Sequence, residues 1–202
     1  MNVPDRVYHA SAVRGLEELV PRPSTHGTWV YAVGDPVLAA CFLSTIGGDL
    51  TCAVGRDRRT GRPYLCERFD GALERRYSGA SGSIYVLDGG GFLAGRTPWD
   101  EEYVCGRVVH PLSEKIHVED VCEYLEALSR SGELALVRYP ERIDGIPSDD
   151  SDLVERAILW VERLGPDVLN GFVEYHPALV PRIRSALGAR RIDRTRSADN
   201  VV

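Results

Sequence analysis

Residues 28–42 read TWVYAVGDPVLAACF, and the fold class turns on how this stretch is read. Thr28 to Val33 has the β-branched and aromatic content of a buried strand. Asp35-Pro36 then opens a helix. An aspartate at the N-cap accepts a hydrogen bond from an otherwise unpaired N–H of the first turn, and proline, which has no N–H, suits the first helical position. The helix is expected to run to about Ser44, with Val37, Ala40 and Cys41 on one face and Phe42 on its flank.

The neighbouring segments continue this mixture of strand and helix. Upstream, Val7 to Ser11 (VYHAS) is a short apolar-polar run. Ala12 to Val20 is expected to be a short amphipathic helix, with Val13, Leu16, Leu19 and Val20 sharing one face. Downstream, Leu50 to Val54 and Pro63 to Phe69 read as strands joined by GRDRRTGR, an arginine-rich turn that reads as a solvated hairpin tip. Gly82 to Asp88 is a further strand. The three glycines that follow it lack GxGxxG spacing, so they give no dinucleotide fingerprint. Glu102 to Val109 and Ile116 to Val118 are the remaining strands, and Glu119 to Ser129 is an amphipathic helix. From Pro140 the texture becomes helical. Acidic Asp149 to Asp152 suit a helix N-terminus, Leu153 to Leu164 has helical periodicity, and so does Pro177 to Leu187. A polar, frayed tail is expected after Gly188. The expected organisation is α+β, with a domain over 1–139 and a helical C-terminal extension with a polar tail over 140–202.

A chain of 202 residues can bury a real core without a metal or disulfide staple. A net charge of -6 argues against broad, charge-driven binding to nucleic acid. The five cysteines form no CxxC pair and read as buried free thiols in a reducing compartment. No signal peptide or apolar run long enough to span a bilayer is evident, so a cytoplasmic location without membrane contact is expected. His110, Glu114 and His117 lack an HExxH arrangement, and no GxSxG motif is present. The C-terminal arginines, from Arg182 and Arg184 to Arg190, Arg191, Arg194 and Arg196, are open to two readings: a surface for a partner or inhibitor, and a solvated helix and tail.

Three segments carry a resemblance. Tyr8-His9-Ala10-Ser11 is followed by Gly15-Leu16. Val30-Tyr31-Ala32-Val33 is followed by Ala39, Ala40 and Phe42. Glu102-Tyr103-Val104 comes last. In order and spacing these resemble the ADP-ribosyltransferase superfamily, in the His-Tyr-Glu class that includes poly(ADP-ribose) polymerases and diphtheria-like toxins. The resemblance covers roughly residues 7–128. It implies a split antiparallel β-sheet core with flanking helices, NAD as substrate, and an unidentified protein or nucleic-acid acceptor, or water.

The resemblance also implies residue roles. Cleaving the nicotinamide bond develops positive charge on the ribose, and a nearby carboxylate stabilises it; this role falls to Glu102. His9 would orient the adenosine ribose. Ser11 and the backbone of Ala10 would receive the nicotinamide carboxamide. Tyr31 and Phe42 would flank the nicotinamide ring, a task that needs a π face more than a hydroxyl. Tyr85 is a further candidate to line the cleft. Ala10 stands where the family usually has glycine, and Phe42 where the polymerases commonly have tyrosine. Glu101 competes with Glu102, because a one-residue shift of the strand exchanges which side chain points inward; the following Tyr103-Val104 favours Glu102. Asp100 occupies the position where some toxin-class relatives carry a residue that engages the acceptor. Two other functions are compatible with the same pocket: a relative that binds NAD or ADP-ribose without turnover, and an RNA 2′-phosphotransferase, which the acidic composition disfavours.

Overall fold

The computed structural model describes residues 2–112 and 115–199, with no side-chain description for 115 and 191–199. Glu114 therefore lies outside the described residues, as do the side chains of Arg191, Arg194 and Arg196. The chain divides into two compact units, Met1–Asp144 and Gly145–Val202.

The first unit runs β1 (Arg6–Ser11), β2 (Arg22–Ser24), β3 (Gly27–Val33), α1 (Pro36–Ala40), β4 (Cys52–Arg56), β5 (Pro63–Glu67), α2 (Ala72–Tyr77), β6 (Gly82–Asp88), β7 (Leu93–Ala94), β8 (Glu102–Cys105), β9 (Lys115–Val118), α3 (Val121–Arg130) and β10 (Ala135–Val137). The main sheet has seven strands in the order β7-β8-β3-β1-β6-β9, with β2 paired to β3, and every pairing is antiparallel. A second sheet of three strands, β10-β5-β4, joins β4 to β5 antiparallel and β5 to β10 parallel. The architecture is α+β, with an antiparallel main sheet and helices at the C-terminal end of the chain.

Side chains alternate across the main sheet, so each face builds its own core. On one face Val33 and Ile84 pack with Leu38 of α1, Leu73 and Tyr77 of α2, Leu125 of α3 and Leu65 of the second sheet. On the other, Val7, Val30, Ala32, Tyr85, Leu87 and Tyr103 form a second cluster. Most of these residues are almost fully buried, and each Val, Leu or Ile among them contributes roughly 1.5–3 kcal/mol relative to exposure.

Several expectations change. Ala12 to Val20 is not helical but a run of bends that ends in an isolated bridge between Leu19 and Val109. Gly15 sits at φ 65°, in the left-handed region that favours glycine. The Tyr85 hydroxyl donates to Val13 O at 2.9 Å and accepts from Leu16 N at 3.0 Å, which occupies backbone groups that a helix would pair internally. The Glu102–Val109 strand stops at Cys105, where Gly106 lies close under the Trp29 ring. The helix after Asp35 ends at Ala40, and its last turns tighten onto i→i−3 bonds through Phe42 and Leu43. α2, β2, β7 and β10 were not anticipated. All five cysteines are free, four of them buried.

The second unit holds α4 (Ser151–Leu164), α5 (Leu169–Tyr175) and α6 (Val180–Asp199). Leu153, Ala157, Phe172 and Ile183 form its buried seam, and the Trp160 and Phe172 rings lie 6.0 Å apart. Arg182 pairs with Asp149 at 3.0 Å. Contrary to the expected frayed tail, α6 continues past Gly188 to Asp199; a single helical glycine costs only about 1 kcal/mol. No helix among the described residues is long and apolar enough to cross a membrane.

Candidate functional site

The site lies where the main sheet is least complete. Among the described residues, β1 and β3 pair at one position only, Tyr8 opposite Val33. Beyond that point the backbone demand is met by a side chain: His9 Nδ1 lies 2.7 Å from Tyr31 O. A carbonyl can only accept, so Nδ1 carries the proton. Burial lowers the pKa of His9, the bond to Tyr31 O opposes that shift, and the charge of Arg22 adds to it. The imidazole is therefore neutral at pH 7, and Nε2 is left as an acceptor.

A cleft of about 130 Å³ opens here, lined by Tyr8, His9, Ala10, Tyr31, Phe42, Trp99 and Glu102 together with Ala32, Val33 and Ala39. The corner after β3 sets one wall. Asp35 Oδ1 accepts from Val37 N at 2.8 Å and starts α1, and the tightened end of that helix carries Phe42. The Cys41 carbonyl beside it accepts from the buried Arg76 at 3.0 Å and from the Tyr77 hydroxyl at 2.5 Å. These bonds fix the position of Phe42. Its ring meets Trp99 at 5.8 Å, tilted by 58°, within the range of favourable aromatic contacts. Tyr31 is anchored through its hydroxyl, 2.5 Å from Ser24 Oγ on β2.

Glu101 and Glu102 are held apart by their partners. Glu101 faces Arg56, which bonds its two oxygens at 2.9 and 3.1 Å. The same guanidinium reaches Asp35 Oδ2 at 3.1 Å and Gly61 O at 2.8 Å. Arg56 thus ties together the start of α1, the β4–β5 hairpin and the residue before β8. Glu102 instead opposes Val33 and lines the cleft. Burial raises its pKa, a hydrogen bond from the Thr97 side chain pulls it back, and the charge of Asp49 raises it further. No ion pair neutralises Glu102 among the described residues. The cleft thus combines one carboxylate, one neutral imidazole acceptor and a tilted aromatic pair.

Five of the residues expected from sequence, His9, Ala10, Tyr31, Phe42 and Glu102, come together in this cleft. Ser11 does not line it, and its hydroxyl accepts from Val13 N at 3.1 Å in a local turn. Tyr85 does not line it either. It is fully buried in the cluster with Val7, Ala32 and Leu87, with its hydroxyl committed to Val13 and Leu16. Asp100 is exposed in the turn before β8. Trp99 was missed; the signal available was a tryptophan in GRTPWDEE, a loop with no strand or helix pattern to bury it. The comparisons return nothing: no family model, curated protein or solved structure matches this chain.

Proposed function

We propose that this chain is an ADP-ribosyltransferase of the His-Tyr-Glu class. In this reading it cleaves NAD between nicotinamide and ribose and passes ADP-ribose to a macromolecular acceptor or to water. The observation that carries the reading is the convergence of His9, Tyr31 and Glu102, from three separate strands, on one aromatic-walled cleft. The single-point pairing of β1 and β3 supports the split antiparallel sheet of that family.

The residues present suit the substrate. A cleft of about 130 Å³ has room for a single aromatic ring, since an apolar cavity of ~150 Å³ takes up benzene. Nicotinamide would sit against Tyr31, Phe42 and Trp99, and the rest of the dinucleotide would stay on the open side. His9 Nε2, a neutral acceptor, suits a ribose hydroxyl donor. Because Ser11 lies off the cleft, the carboxamide is left to the backbone of Ala10, and ring recognition rests mainly on stacking.

The chemistry follows from Glu102. As the C1′–N bond breaks, its electron pair leaves with nicotinamide and positive charge spreads over C1′ and the ring oxygen of the ribose. An ionised carboxylate in a partly enclosed site stabilises that charge more than it would in bulk water. The acceptor nucleophile then bonds to C1′ and gives up its proton to solvent. Glu102 must be ionised for this role, and burial raises its pKa. Activity is therefore expected to rise with pH through the titration of Glu102.

The test is nicotinamide release from NAD by the wild type and by Glu102→Gln. The expected outcome is release by the wild type and a loss of roughly 10²–10³-fold in the variant, the magnitude typical of removing a group that stabilises developing charge. Binding of NAD by the wild type without release, across varied acceptors, would turn the reading into that of a non-catalytic NAD-binding protein. Failure to bind NAD at all would remove it.

A further inference from the structure

We infer that the tip of the β4–β5 hairpin, residues 57–62, is a docking surface for the phosphodiester backbone of a nucleic acid, held beside the cleft as its acceptor side. The acceptor role rests on the NAD reading; the binding surface stands without it.

The tip reads Asp57-Arg58-Arg59-Thr60-Gly61-Arg62, and residues 58–62 are exposed. No ion pair or side-chain hydrogen bond engages the guanidinium of Arg58, Arg59 or Arg62 among the described residues. They stand as three cations against the single carboxylate of Asp57, in a chain whose net charge is -6. That carboxylate caps the turn: Oδ1 accepts from Arg59 N at 2.7 Å and from Thr60 N at 3.2 Å. Backbone bonds from Asp57 N to Arg62 O at 2.9 Å and from Gly61 N to Asp57 O at 2.8 Å close the turn. The loop is therefore built before any partner arrives, which lowers the ordering cost of binding.

Arg56 couples the tip to the site. It bonds Gly61 O at 2.8 Å and Glu101 at 2.9 Å, and Glu101 is next in sequence to the cleft carboxylate. The Asp35 and Glu101 carboxylates neutralise Arg56 itself, so the positive field comes from the tip residues. At physiological ionic strength such a field reaches about 8 Å, so it acts on groups that touch the hairpin rather than on distant polyanions.

The composition of the tip selects among anionic partners. Protein interfaces are anchored by buried aromatic or aliphatic side chains, and residues 57–62 contain none. Guanidinium forks match phosphate oxygens in pairs of hydrogen bonds, and binding through charge alone is the hallmark of backbone contact with nucleic acid. The surface accordingly fits phosphates without reading base sequence.

The test is fluorescence anisotropy of the full chain with a short labelled single-stranded oligonucleotide, as DNA and as RNA, over a salt series. The variant is Arg58→Ala combined with Arg59→Ala and Arg62→Ala. Asp57 holds the turn through backbone N–H groups, so the triple variant keeps its fold, which circular dichroism checks. Wild type is expected to bind with log K falling against log salt at a slope of about −2, from about −0.7 per neutralised phosphate over three contacts. The triple variant is expected to bind at least ~10-fold more weakly at low salt, and Glu102→Gln to bind like the wild type. No binding by wild type to either oligonucleotide, or equal binding by the triple variant, would overturn the inference. Equal or tighter binding of a polyglutamate peptide would overturn it too, in favour of an acidic protein. NAD is absent from this experiment, so its outcome is independent of the nicotinamide-release test.

Discussion

Along its edge with β6, β1 is laddered without a break from Arg6 opposite Asp88 to Ser11 opposite Ser83, whereas along its edge with β3 it pairs only at Tyr8 and Val33 among the described residues. The first edge meets its backbone demands internally, and the Tyr85 side chain opposite His9 is buried in a closed core. The second meets one of them with the His9 imidazole and opens into the cleft. One strand therefore serves as structure on one side and as a site on the other. A continuous ladder leaves neither a polar group nor a space for a ligand; an interrupted ladder leaves both. The adjacent glutamates repeat the contrast. Glu101 is neutralised by Arg56 in a structural tie, while Glu102 has no ion-pair partner among the described residues and carries the cost of partial burial.

The contrast can be broken from either side. On the closed side, Tyr85→Ala is expected to cost about 3–5 kcal/mol, since it deletes a fully buried aromatic and leaves Val13 O and Leu16 N without the phenol. Urea denaturation reads this as a lowered midpoint, and a loss below about 1 kcal/mol would mean that Tyr85 is not the core residue described. At the tie, Arg56→Gln is expected to cost about 1–2 kcal/mol, because its charged hydrogen bonds are only partly shielded from water. Its effect on nicotinamide release should exceed that loss of stability, because Glu101, freed from Arg56, no longer fixes how β8 presents Glu102.

On the open side, His9→Ala is expected to cost only about 1 kcal/mol, the worth of one hydrogen bond, while raising the KM for NAD. It should also blunt acid sensitivity. Burial lowers the pKa of His9, so the folded state binds the proton less well than the unfolded chain, and wild-type stability falls as pH drops below the ordinary imidazole range. Thermal melts of both proteins from pH 7 to mild acid check this; parallel curves would refute it. The smallest effect has the opposite sign. The raised pKa of Glu102 means that its contribution to stability is present below the ordinary carboxylate pKa and lost as pH rises through the raised value. Glu102→Gln is therefore expected to melt slightly higher than wild type at neutral pH, with the gap closing as pH falls below the ordinary carboxylate range. A variant less stable at neutral pH would contradict the half-buried carboxylate without an ion-pair partner among the described residues.

Much of this was readable from sequence where local chemistry is decisive. Asp35-Pro36 starts α1 as expected because cap and proline act on their own turn. The α+β character followed from short strands of β-branched and aromatic residues interleaved with helical segments, whereas the antiparallel sheet was implied only by the family resemblance. What escaped depends on contacts far apart in the chain. The 12–20 segment has helical spacing, but Gly15 and the distant Tyr85 hydroxyl override it. The side of the sheet that Tyr85 takes follows from strand register, which a single sequence does not print. β10 is three residues long and exists by parallel pairing with β5. Trp99 reaches the cleft from a loop, where no periodicity announces burial. The choice between Glu101 and Glu102 was open in sequence, and Arg56, 45 residues before Glu101, separates the two.

The most direct test of the cleft as a nicotinamide site is a crystal structure of the Glu102→Gln variant with NAD, whose intact glycosidic bond the substitution should preserve. The ring should lie against Tyr31, Phe42 and Trp99, with a ribose hydroxyl on His9 Nε2 and the nicotinamide ribose beside the substituted side chain on β8. Dinucleotide bound elsewhere, or an empty cleft at saturating NAD, would contradict the site and the reaction built on it.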